Sequence, residues 1–391
     1  MTVTARILGQ SAISLWGLDS RDRLARQIRA LKVGDAVDAD QVLLVRADYL
    51  FENRTLSSLL ARPGTVLCSQ DNQRAAALVQ RADADAMETA LLDQNASLPP
   101  GLAQVPVAEL SSFDHSLRRT QTPMLEPLTE ASRTALEDTL YGNAYKGITD
   151  LVTKWLWPRP AKHIVRWCAA HAVTPNAVTL LSFVLTVAAA FLFIEGYFWS
   201  GLLAGWLMTL LDTVDGKLAR VTVQSSRFGH YFDHGIDLLH PPVWYICWGE
   251  AIAELHAVAG VAEGRIYELI IVGYVGGRIV EGLFHLFADC SVFGWRPFDA
   301  WFRLITARRN PCLIILTLAT LLGRPDWGLV AVAAWTGLTT LVLLVRLLHG
   351  AMLRVWAGQR LRSWMSEPDA AQRHALSYRT FSSTLGAYAP G

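Results

Sequence analysis

Long apolar segments confined to the second half of the chain constrain its fold more than any other feature. They lie between about residues 176 and 356, whereas residues 1 to about 170 mix polar and apolar positions as soluble domains do. Each segment approaches the ~20 residues that an α-helix needs to cross a bilayer. The sequence therefore predicts an all-α membrane domain of six spans, over about residues 176–195, 198–219, 228–252, 265–288, 311–322 with an extension at its start, and 327–353.

The composition agrees with a soluble front joined to a membrane-spanning back. The chain is 52% hydrophobic and only 18% charged, whereas soluble domains are about 25% charged. A net charge of +1 gives no support to nucleic acid as a partner. The five cysteines are scattered and contain no CxxC pair, which favours reduced, buried thiols over disulfides or a zinc site.

The arginines indicate how the spans are oriented. The N-terminal residues lack the basic start and long apolar run of a signal peptide, so we expect the front domain to lie in the cytoplasm. The loops on that side then carry most of the arginines, as the positive-inside rule requires, and the opposite loops hold little beyond Arg324. We therefore expect a protein of the cell (inner) membrane with both termini cytoplasmic. The arginines concerned are Arg220, Arg227, Arg296, Arg303, Arg308, Arg309, Arg354, Arg360 and Arg362.

Residues 1–145 are predicted to form a soluble α/β domain. Candidate strands alternate with a helix over Ser20–Leu31, whose leucines and isoleucine share one face. This alternation favours an α/β layer with a mainly parallel sheet, followed by a helical linker over residues 116–145. The candidate strands are Ala5–Leu8, Val42–Arg46, Thr65–Cys68 and Ala75–Val79.

Residues 146–172 combine a linker with a predicted interfacial helix. The stretch 148–171 interleaves tryptophans with lysines and arginines. This combination favours a helix that lies in the plane of the membrane surface; an ordinary surface helix is the alternative. The residues concerned are Trp155, Trp157 and Trp167 with Lys154, Arg159, Lys162 and Arg166.

Four aspartates lie inside the predicted second and third spans. Asp212 and Asp215 belong to one span, and Asp233 and Asp237 to the other. An ionised carboxylate at the centre of a bilayer costs on the order of 2.5–3.5 kcal/mol. Stability therefore gives no reason to keep these residues, and a functional role is expected.

The spacing of these aspartates predicts that they meet. Residues three or four positions apart share one face of a helix, and the short link over 221–227 makes the two spans antiparallel neighbours. Asp212 and Asp237 then lie at one depth, with Asp215 and Asp233 one turn closer to the cytoplasm. Such a cluster favours hard cations such as Mg²⁺, Mn²⁺ or Ca²⁺, and two of them could clamp a phosphoryl transfer. The alternative interpretation is a cation or proton pathway through a transporter.

Taken in order, the residues of the two spans resemble the signature of the CDP-alcohol phosphotransferases. The string is Asp212-x2-Asp215-Gly216-x2-Ala219-Arg220-x8-Gly229-x3-Asp233-x3-Asp237. The segment VTPNAVT, residues 173–179, is also similar to that family. The resemblance covers about residues 150–356 and leaves out the front domain. We accordingly expect the membrane domain over residues 173–356, followed by a cytoplasmic tail over 357–391.

The resemblance implies a role for each matched residue. Asp212, Asp215 and Asp233 would hold two Mg²⁺ or Mn²⁺ ions, and Asp237 would be a shared ligand or the base that takes the acceptor's proton. The acceptor oxygen would attack the β-phosphorus of a CDP-linked donor, and CMP would leave. The family also implies a homodimer. The residues expected to border the CDP group are Gly216, Ala219, Arg220 and Gly229, with Pro175 and Asn176 nearby.

Further charges in the fourth span and the loop after it point to the acceptor. Arg278 and Glu281 lie within a span, where ionisable residues face a polar cavity or a partner; a structural ion pair between them is the alternative. The region is similar to the branch of the family that uses inositol phosphate, in which arginines here bind the acceptor's phosphate. The candidate acceptor-binding residues are Arg278, Arg303, Arg308 and Arg309, of which the last three could instead be cytoplasmic anchors.

The front domain resembles, more loosely, a nucleotidyltransferase of the sugar-phosphate type. The segment LDSRDRLARQIRAL looks like the helix after that family's nucleotide loop, and LLVRADYLFEN looks like its strand ending in a metal-binding aspartate, here Asp48. The segment GQSAISLWG (9–17) lacks the glycine spacing and the basic residue that cradle a triphosphate. We therefore expect a degenerate, inactive transferase domain.

These observations lead to one leading hypothesis and three alternatives. The chain is expected to move a phosphatidyl group from CDP-diacylglycerol to a small polar alcohol or its phosphate, such as inositol phosphate. A water-soluble CDP-alcohol donor with a lipid acceptor fits the same spacing. A cation transporter and a catalytically silent scaffold are the alternatives outside this chemistry.

Overall fold

Two units make up the chain, the first mainly of residues up to Asn143 and the second mainly of residues from Ala144 onward. The computed structural model describes residues 2–34, 39–110, 113–114, 119–120, 123–224, 227–252 and 263–382, and within these it leaves the side chains of residues 113–114, 119–120, 227–234 and 263 undescribed. The strands of the chain are β1 (Val3–Leu8), β2 (Gln41–Arg46), β3 (Tyr49–Phe51), β4 (Thr65–Cys68), β5 (Arg74–Gln80), β6 (Ala103–Pro106), β7 (Phe113–Asp114), β8 (Arg119–Thr120) and β9 (Leu125–Pro127).

A mixed five-stranded sheet in the order β1–β2–β5–β4–β6 forms the centre of the first unit. The four candidate strands of the sequence are confirmed as β1, β2, β4 and β5. The prediction of a mainly parallel sheet is wrong: β1–β2 and β4–β6 are parallel, whereas β2–β5 and β5–β4 are antiparallel. The short connection from β4 to β5 accounts for this, because only antiparallel neighbours can be joined by a tight turn.

Helices cover both faces of this sheet. On one face, α1 (Ser20–Ala30) and α2 (Asn53–Leu60) share a hydrophobic core with the strands, and on the other face α3 (Ala84–Leu92) does so. The predicted helix over Ser20–Leu31 is confirmed as α1, which begins after Asp19, whose side chain accepts a hydrogen bond from the backbone of Asp22.

The segment predicted as a helical linker over residues 116–145 is only partly helical. Its helix is α4 (Arg133–Asn143), whereas Leu125–Pro127 forms β9 and pairs with β3. The polar composition of the segment gave no indication of this strand, because the pairing partner lies far away in the sequence.

Long helices make up the second unit. Three of those described are long and apolar enough to cross a membrane: Pro175–Ile194, Gly264–Phe287 and Pro325–Val355. The pair Pro297–Ile305 and Arg309–Leu321, bent by 46°, makes a fourth if it counts as one span. The helices are α5 (Pro158–Ala170), α6 (Pro175–Ile194), α7 (Phe198–Val221), α8 (Arg227–Glu250), α9 (Glu263–Phe287), α10 (Val292–Trp295), α11 (Pro297–Ile305), α12 (Arg309–Leu321), α13 (Pro325–Val355), α14 (Ala370–Arg373) and α15 (Ala375–Phe381).

The predicted count of six spans depends on α7 and α8. Both helices are 24 residues long, which is enough to cross a bilayer, but they contain the acidic residues that lower their apolar character. A largely helical unit with several membrane-capable helices is therefore confirmed, whereas the exact number of spans stays a prediction.

Buried aromatic residues hold α6 against α8. The ring centroids of Phe193 and Trp248 lie 5.0 Å apart, and the indole N–H of Trp244 donates to the carbonyl of Thr186 at 2.9 Å. These contacts fix the two helices side by side.

The predicted interfacial segment forms two consecutive helical pieces. Residues Val152–Leu156 adopt a π-helix, and α5 follows after Trp157. The side chains of Trp155 and Trp167 are more than half exposed, at 54% and 57%. Exposed tryptophans are typical of segments at a membrane surface, and the location of this segment there stays a prediction.

The expected tail over residues 357–391 folds back on the second unit as far as it is described. Trp364 and Phe381 are almost completely buried, and the indole N–H of Trp301 in α11 donates to Ser377 Oγ at 3.0 Å. Residues 383–391 lie outside the described part of the chain. The tail is thus an element of the fold as far as Ser382.

Candidate active site

Three of the four predicted metal-binding aspartates lie close to one another in the second unit. Asp212 and Asp237 share one guanidinium, because Arg309 Nη1 donates to Asp237 Oδ1 at 2.7 Å and Arg309 Nη2 donates to Asp212 Oδ2. Asp212 also repels Asp215 and Asp237 electrostatically. The convergence that the sequence predicts is therefore present for the residues whose side chains are described.

Asp215 is the most buried of these carboxylates and is held by a neighbouring helix. Thr179 Oγ1 donates to Asp215 Oδ2 at 2.6 Å, and both residues are buried. Thr179 is the last residue of the VTPNAVT segment, and the sequence alone assigned it no role. Its place in the VTPNAVT segment was the only indication of a role that the sequence offered. Thr179 lies on α6, and its hydroxyl orients the carboxylate of Asp215 on α7.

Local helix geometry explains the arrangement. Asp212 and Asp215 are separated by three residues on α7 and so share a face, whereas Asp237 belongs to α8. The hydroxyl of Tyr274 on α9 donates to the backbone carbonyl of Asp237 at 3.0 Å, which ties this turn of α8 to the next helix. Contacts from α6, α9 and α12 therefore fix the position of the acids on α7 and α8.

Two predicted site residues lie where side chains are not described. Asp233, expected as a metal ligand, and Gly229, expected beside the nucleotide, both fall within residues 227–234 of α8, so their side-chain positions lie outside the described residues. The helical backbone there places Asp233 one turn before Asp237. Their roles stay predictions.

The predicted nucleotide-binding residues occupy the ends of two helices. Pro175 and Asn176 form the first turn of α6, after the N-cap Thr174. In the last two turns of α7, the ammonium of Lys217 lies 3.9 Å from the centroid of the Tyr145 ring. The nucleotide-binding residues predicted in these turns are Gly216, Ala219 and Arg220.

The predicted acceptor-binding arginines divide into two groups. Arg309 pairs with the aspartates, whereas Arg278 and Arg308 both pair with Glu281, the former at 3.0 Å. The guanidiniums of Arg303 and Arg308 both lie near the ring of Phe293, at 5.4 and 5.6 Å from its centroid. Arg278 and Glu281 therefore form an ion pair, which was one of the two interpretations of these residues. Because Arg308 pairs with the same glutamate, the arginines also form a cationic cluster.

The donors of this cluster are incompletely used. Among the described residues, Arg278 Nε, Arg303 Nη1 and Arg308 Nε are buried without a hydrogen-bond partner. Buried N–H groups in proteins are nearly always paired. Unpaired guanidinium donors in a cationic cluster therefore favour a site for an anionic ligand.

Asp150 interacts electrostatically with Arg303 of this cluster. Its carboxylate accepts hydrogen bonds from the backbone of Val152 and Thr153 at 3.1 and 3.0 Å and from Asn310 Nδ2 at 2.9 Å. Burial raises the pKa of Asp150, but the charge of Arg303 and these hydrogen bonds outweigh it, so that the pKa lies below its ordinary value. Asp150 is therefore a structural anion that the sequence gave no reason to single out.

The acidic group fits a hard metal ion by its donor chemistry. Carboxylate oxygens are the ligands that Mg²⁺ and Mn²⁺ prefer, and the guanidinium of Arg309 shows that Asp212 and Asp237 converge on one cation. Within the described residues no set of three or more acidic, histidine or cysteine side chains has the geometry of a metal site, and that search does not include the side chain of Asp233.

Comparison with known proteins matches the region that carries these acids. Relatives include an archaetidylinositol phosphate synthase of Pyrococcus horikoshii, 36% identical over 84 residues, covering 21% of this chain and 43% of the relative. The cholinephosphotransferase 1 of Homo sapiens is 31% identical over 125 residues, covering 29% and 30%. The cholinephosphotransferase 1 of Gallus gallus is 31% identical over 122 residues, covering 28% and 35%. The chain thus spans less than half the length of each of these relatives.

A family model also matches the same region. The CDP-alcohol phosphatidyltransferase family matches residues 172–275, which contain α6, α7, α8 and every residue of the aspartate signature. The matched region leaves out residues 1–171. Residues 172–275 of the chain therefore match the CDP-alcohol phosphatidyltransferase family.

Proposed function

We propose that this chain is a membrane transferase that moves a phosphoalcohol group from a CDP-linked donor to an acceptor hydroxyl and releases CMP. The observation that carries the proposal is the convergence of Asp212 and Asp237 on one cation, with Asp215 beside them, inside the segment matched by the family. Such a group of acids can hold metal ions, and these ions place positive charge where the transferred phosphate becomes most negative.

The chain's acids divide the work according to their surroundings. Asp212, Asp215 and Asp233, with Asp237 as a shared ligand, would hold two Mg²⁺ or Mn²⁺ ions, which spread the negative charge of the transferred phosphate. Thr179 keeps the Asp215 carboxylate in one orientation. The Asp237 side chain is 44% exposed, against 17% for Asp212. An acceptor hydroxyl reaches the more open carboxylate, so we assign Asp237 as the base.

The donor is proposed to be CDP-diacylglycerol, with its nucleotide at the ends of α6 and α7. Small residues there leave room for a nucleotide, and a cationic side chain can balance its phosphates. The residues assigned to this role are Gly216, Ala219, Arg220 and Gly229, with Pro175 and Asn176.

The acceptor is proposed to be a phosphorylated polar alcohol, such as inositol phosphate. The support is the cluster of Arg278, Arg303 and Arg308, in which buried donors have no partner among the described residues. One relative is named as a synthase of archaetidylinositol phosphate, a name that agrees with a phosphorylated inositol. Arg309 is also assigned to acceptor binding, and in the structure its guanidinium pairs with Asp212 and Asp237.

Replacement of Arg278 tests the acceptor assignment. We expect Arg278→Met to raise the acceptor's KM far more than the donor's, because it removes uniform binding of one substrate only. Arg265→Met is the matched control, since Arg265 pairs with Glu268 three residues later on the same helix but at an exposed position. Equal effects of Arg278→Met on both substrates would refute the acceptor role.

A second candidate within the same chemistry is a water-soluble CDP-alcohol donor with a lipid acceptor. The observation that favours it is the similarity to proteins named cholinephosphotransferase 1, whose name describes transfer of a small charged phosphoalcohol. A screen of CMP release with CDP-linked donors crossed with lipid and soluble acceptors, in detergent, separates the two. The excess of buried arginine donors favours an anionic acceptor and hence the first candidate.

A cation transporter is the candidate outside this chemistry. It would also place acids inside membrane helices. Measurement of cation flux and CMP release in the same proteoliposomes distinguishes the two functions: flux without CMP release from any donor would refute the transferase.

The N-terminal unit is proposed to be an inactive relative of nucleotidyltransferases. Its candidate metal ligand Asp48 gives both carboxylate oxygens to Arg46, with Nε–Oδ1 and Nη2–Oδ2 distances of 3.0 and 2.6 Å. A one-to-one bidentate pair leaves no excess of negative charge for a metal ion. Release of pyrophosphate from CTP by the purified full chain would overturn this proposal.

We further propose a homodimer in the inner membrane, with both termini in the cytoplasm. The dimer follows from the family resemblance, and the orientation follows from the arginine-rich loops. Light scattering of the detergent complex tests the first proposal. Proteolysis of intact inverted vesicles, which exposes only cytoplasmic segments, tests the second.

A further inference from the structure

Arg309 connects three helices through two of the proposed metal ligands. It begins α12, directly after the 46° bend that separates this helix from α11. Its guanidinium donates to Asp212 on α7 and to Asp237 on α8. Its neighbour Arg308 is directed to a different carboxylate, that of Glu281. Adjacent arginines therefore serve separate groups, and only one of them touches the acids.

The guanidinium and a divalent cation require the same carboxylate oxygens. A planar guanidinium binds carboxylates through its fork of N–H donors, and a hard cation binds the same oxygens directly. The two positive charges also repel each other at short distance, and this repulsion is strong where water is scarce. The side chain of Arg309 is only 14% exposed. Arg309 and a bound metal ion are therefore competitors for Asp212 and Asp237.

Several features distinguish this arrangement from a permanent structural ion pair. Arg309 Nε is buried without a hydrogen-bond partner among the described residues, whereas a lasting buried pair requires its donors to be satisfied. The Asp237 side chain is 44% exposed, so the bridge can open on that side. A third acid, Asp215, lies close enough to Asp212 and Asp237 to interact with both electrostatically.

We propose that Arg309 is an internal counter-ion, which occupies Asp212 and Asp237 in the metal-free protein and is displaced when divalent cations bind. This inference rests on the proposed metal-dependent function. In the metal-free state Arg309 limits the repulsion between acids on neighbouring helices. When metal ions bind, its guanidinium is released beside the arginine cluster, where it can contact an anionic substrate.

Direct measurement of Mn²⁺ binding tests the competition without any substrate. Electron paramagnetic resonance of free Mn²⁺ gives the affinity of the purified wild-type, Arg309→Met and Arg308→Met proteins. Arg308→Met is the matched control, because it removes the same charge nearby without freeing a carboxylate of the acidic group. We expect Arg309→Met to tighten Mn²⁺ binding by about tenfold, within the usual range of coupling between two sites, and Arg308→Met to tighten it much less.

Three outcomes of this measurement overturn the inference. Equal tightening in Arg309→Met and Arg308→Met would mean that only the general electric field matters. Unchanged or weaker Mn²⁺ binding in Arg309→Met would mean that Arg309 orients the ligands instead of competing with the ion. Absence of Mn²⁺ binding to the wild-type protein would overturn the metal-dependent function itself, which distinguishes that failure from the failure of this inference alone.

Thermal unfolding provides a second readout and covers the case of a poorly folded variant. With EDTA, we expect Arg309→Met to melt below wild type, because the acids lose their counter-ion. With saturating Mn²⁺ the difference should shrink, because the ion that binds the folded state stabilises it by mass action. Arg309→Lys keeps the positive charge but loses the paired N–H donors of the guanidinium. Its Mn²⁺ affinity should therefore lie between those of the wild-type and Arg309→Met proteins. The same deficit of Arg309→Met with and without Mn²⁺ would contradict the proposal.

Discussion

At the scale of single residues, the acids of this site are held by partners that differ in chemistry. Asp215 receives a neutral hydroxyl from Thr179, whereas Asp212 and Asp237 receive a cationic guanidinium. A neutral donor fixes the direction of a carboxylate without cancelling its charge. Thr179 can therefore stay in place when a metal ion binds, and it acts as a positioning residue for the ligand.

Replacement of Thr179 by valine tests this positioning role. Valine keeps the shape of threonine and removes the hydrogen bond to Asp215, and loss of a group that orients a metal ligand typically costs about 10–100-fold in metal affinity or activity. We expect a loss of that size in CMP release and in Mn²⁺ affinity. Thr186→Val is the control, because the hydroxyl of this buried threonine of the same helix donates to the backbone carbonyl of Ser182. Full activity and affinity of Thr179→Val would refute the role.

Lys154 is a buried cation outside the predicted spans. Its ammonium donates to the carbonyl of Gly147 at 2.9 Å and lies 5.2 Å from the centroid of the Phe381 ring. Burial lowers the pKa of Lys154 from the ordinary value of 10.5 to about 8. The charged form of this lysine is therefore destabilised in the folded protein, and the folded tail contributes to that burial.

The depressed pKa of Lys154 predicts a stability change at alkaline pH. Between pH of about 8 and 10.5 the folded protein has released the proton that the unfolded chain still holds, so stability rises with pH in this window. We expect the melting temperature of wild type minus that of Lys154→Met to increase from pH 8 to 10 and to stay constant from pH 6 to 7.5. Lys162→Met, at a half-buried lysine of α5, is the control. A difference that stays flat across the alkaline window would contradict the account.

At the scale of elements, close contact between α9 and α13 stabilises the side of the unit that carries the arginine cluster. A Cβ atom added to Gly273 would lie 3.0 Å from Thr336 Cγ2, and one added to Gly337 would lie 3.0 Å from Leu269 Cδ1. Thr340 Oγ1 donates to the carbonyl of Gly273 at 2.5 Å. Small residues at such a contact let two backbones approach closely within lipid.

Leucine at Gly273 should separate these helices. Overpacking of a filled contact typically costs about 1–3 kcal/mol, so we expect Gly273→Leu to lower the melting temperature and weaken the binding of the acceptor. Gly282→Leu is the matched control, since a Cβ atom added to this glycine of the same helix meets nothing within 4 Å. Equal melting temperatures for the two variants would show that the contact is not tight.

The elements show which parts of the fold the sequence could predict. Four of the five strands of the sheet were predictable because each is a short apolar run bounded by turn residues, and α1 was predictable from the periodicity of its apolar residues. The direction of β4 and β5 and the strand β9 depend on which segments pair, and periodicity carries no information on that. The sequence predicted an extension at the start of the fifth span, but not the break between α11 and α12.

The same limit applies to the site. The shared face of Asp212 and Asp215 follows from helix geometry, and in the structure Asp237 shares Arg309 with Asp212. The partner of these acids was not predictable, because Arg309 lies 97 residues from Asp212 in the chain and reaches it only through tertiary packing. Sequence patterns predict which residues share one face of a helix. Contacts between helices that are distant in the sequence can be identified only from the three-dimensional structure.

At the scale of the whole molecule, the two units have different relations to the proposed chemistry. The region that matches the family is residues 172–275, which lie mainly in the second unit. In the N-terminal unit, the candidate metal ligand Asp48 is paired with Arg46. We therefore place catalysis in the membrane unit alone. Conversion of CTP by the full chain is the observation that would require a second active site.

The central claim is that the acids of α7 and α8 bind divalent cations and thereby support transfer from a CDP-linked donor. The most direct measurement is Mn²⁺-dependent CMP release from CDP-diacylglycerol by purified Asp212→Asn in proteoliposomes, with Asp326→Asn, an acid paired with Arg324 at the start of α13, as the control. Loss of a metal ligand removes several kcal/mol of transition-state stabilisation, so we expect a fall of at least about 100-fold in rate while the variant still folds and inserts into the membrane. Near-normal CMP release by Asp212→Asn would contradict the account.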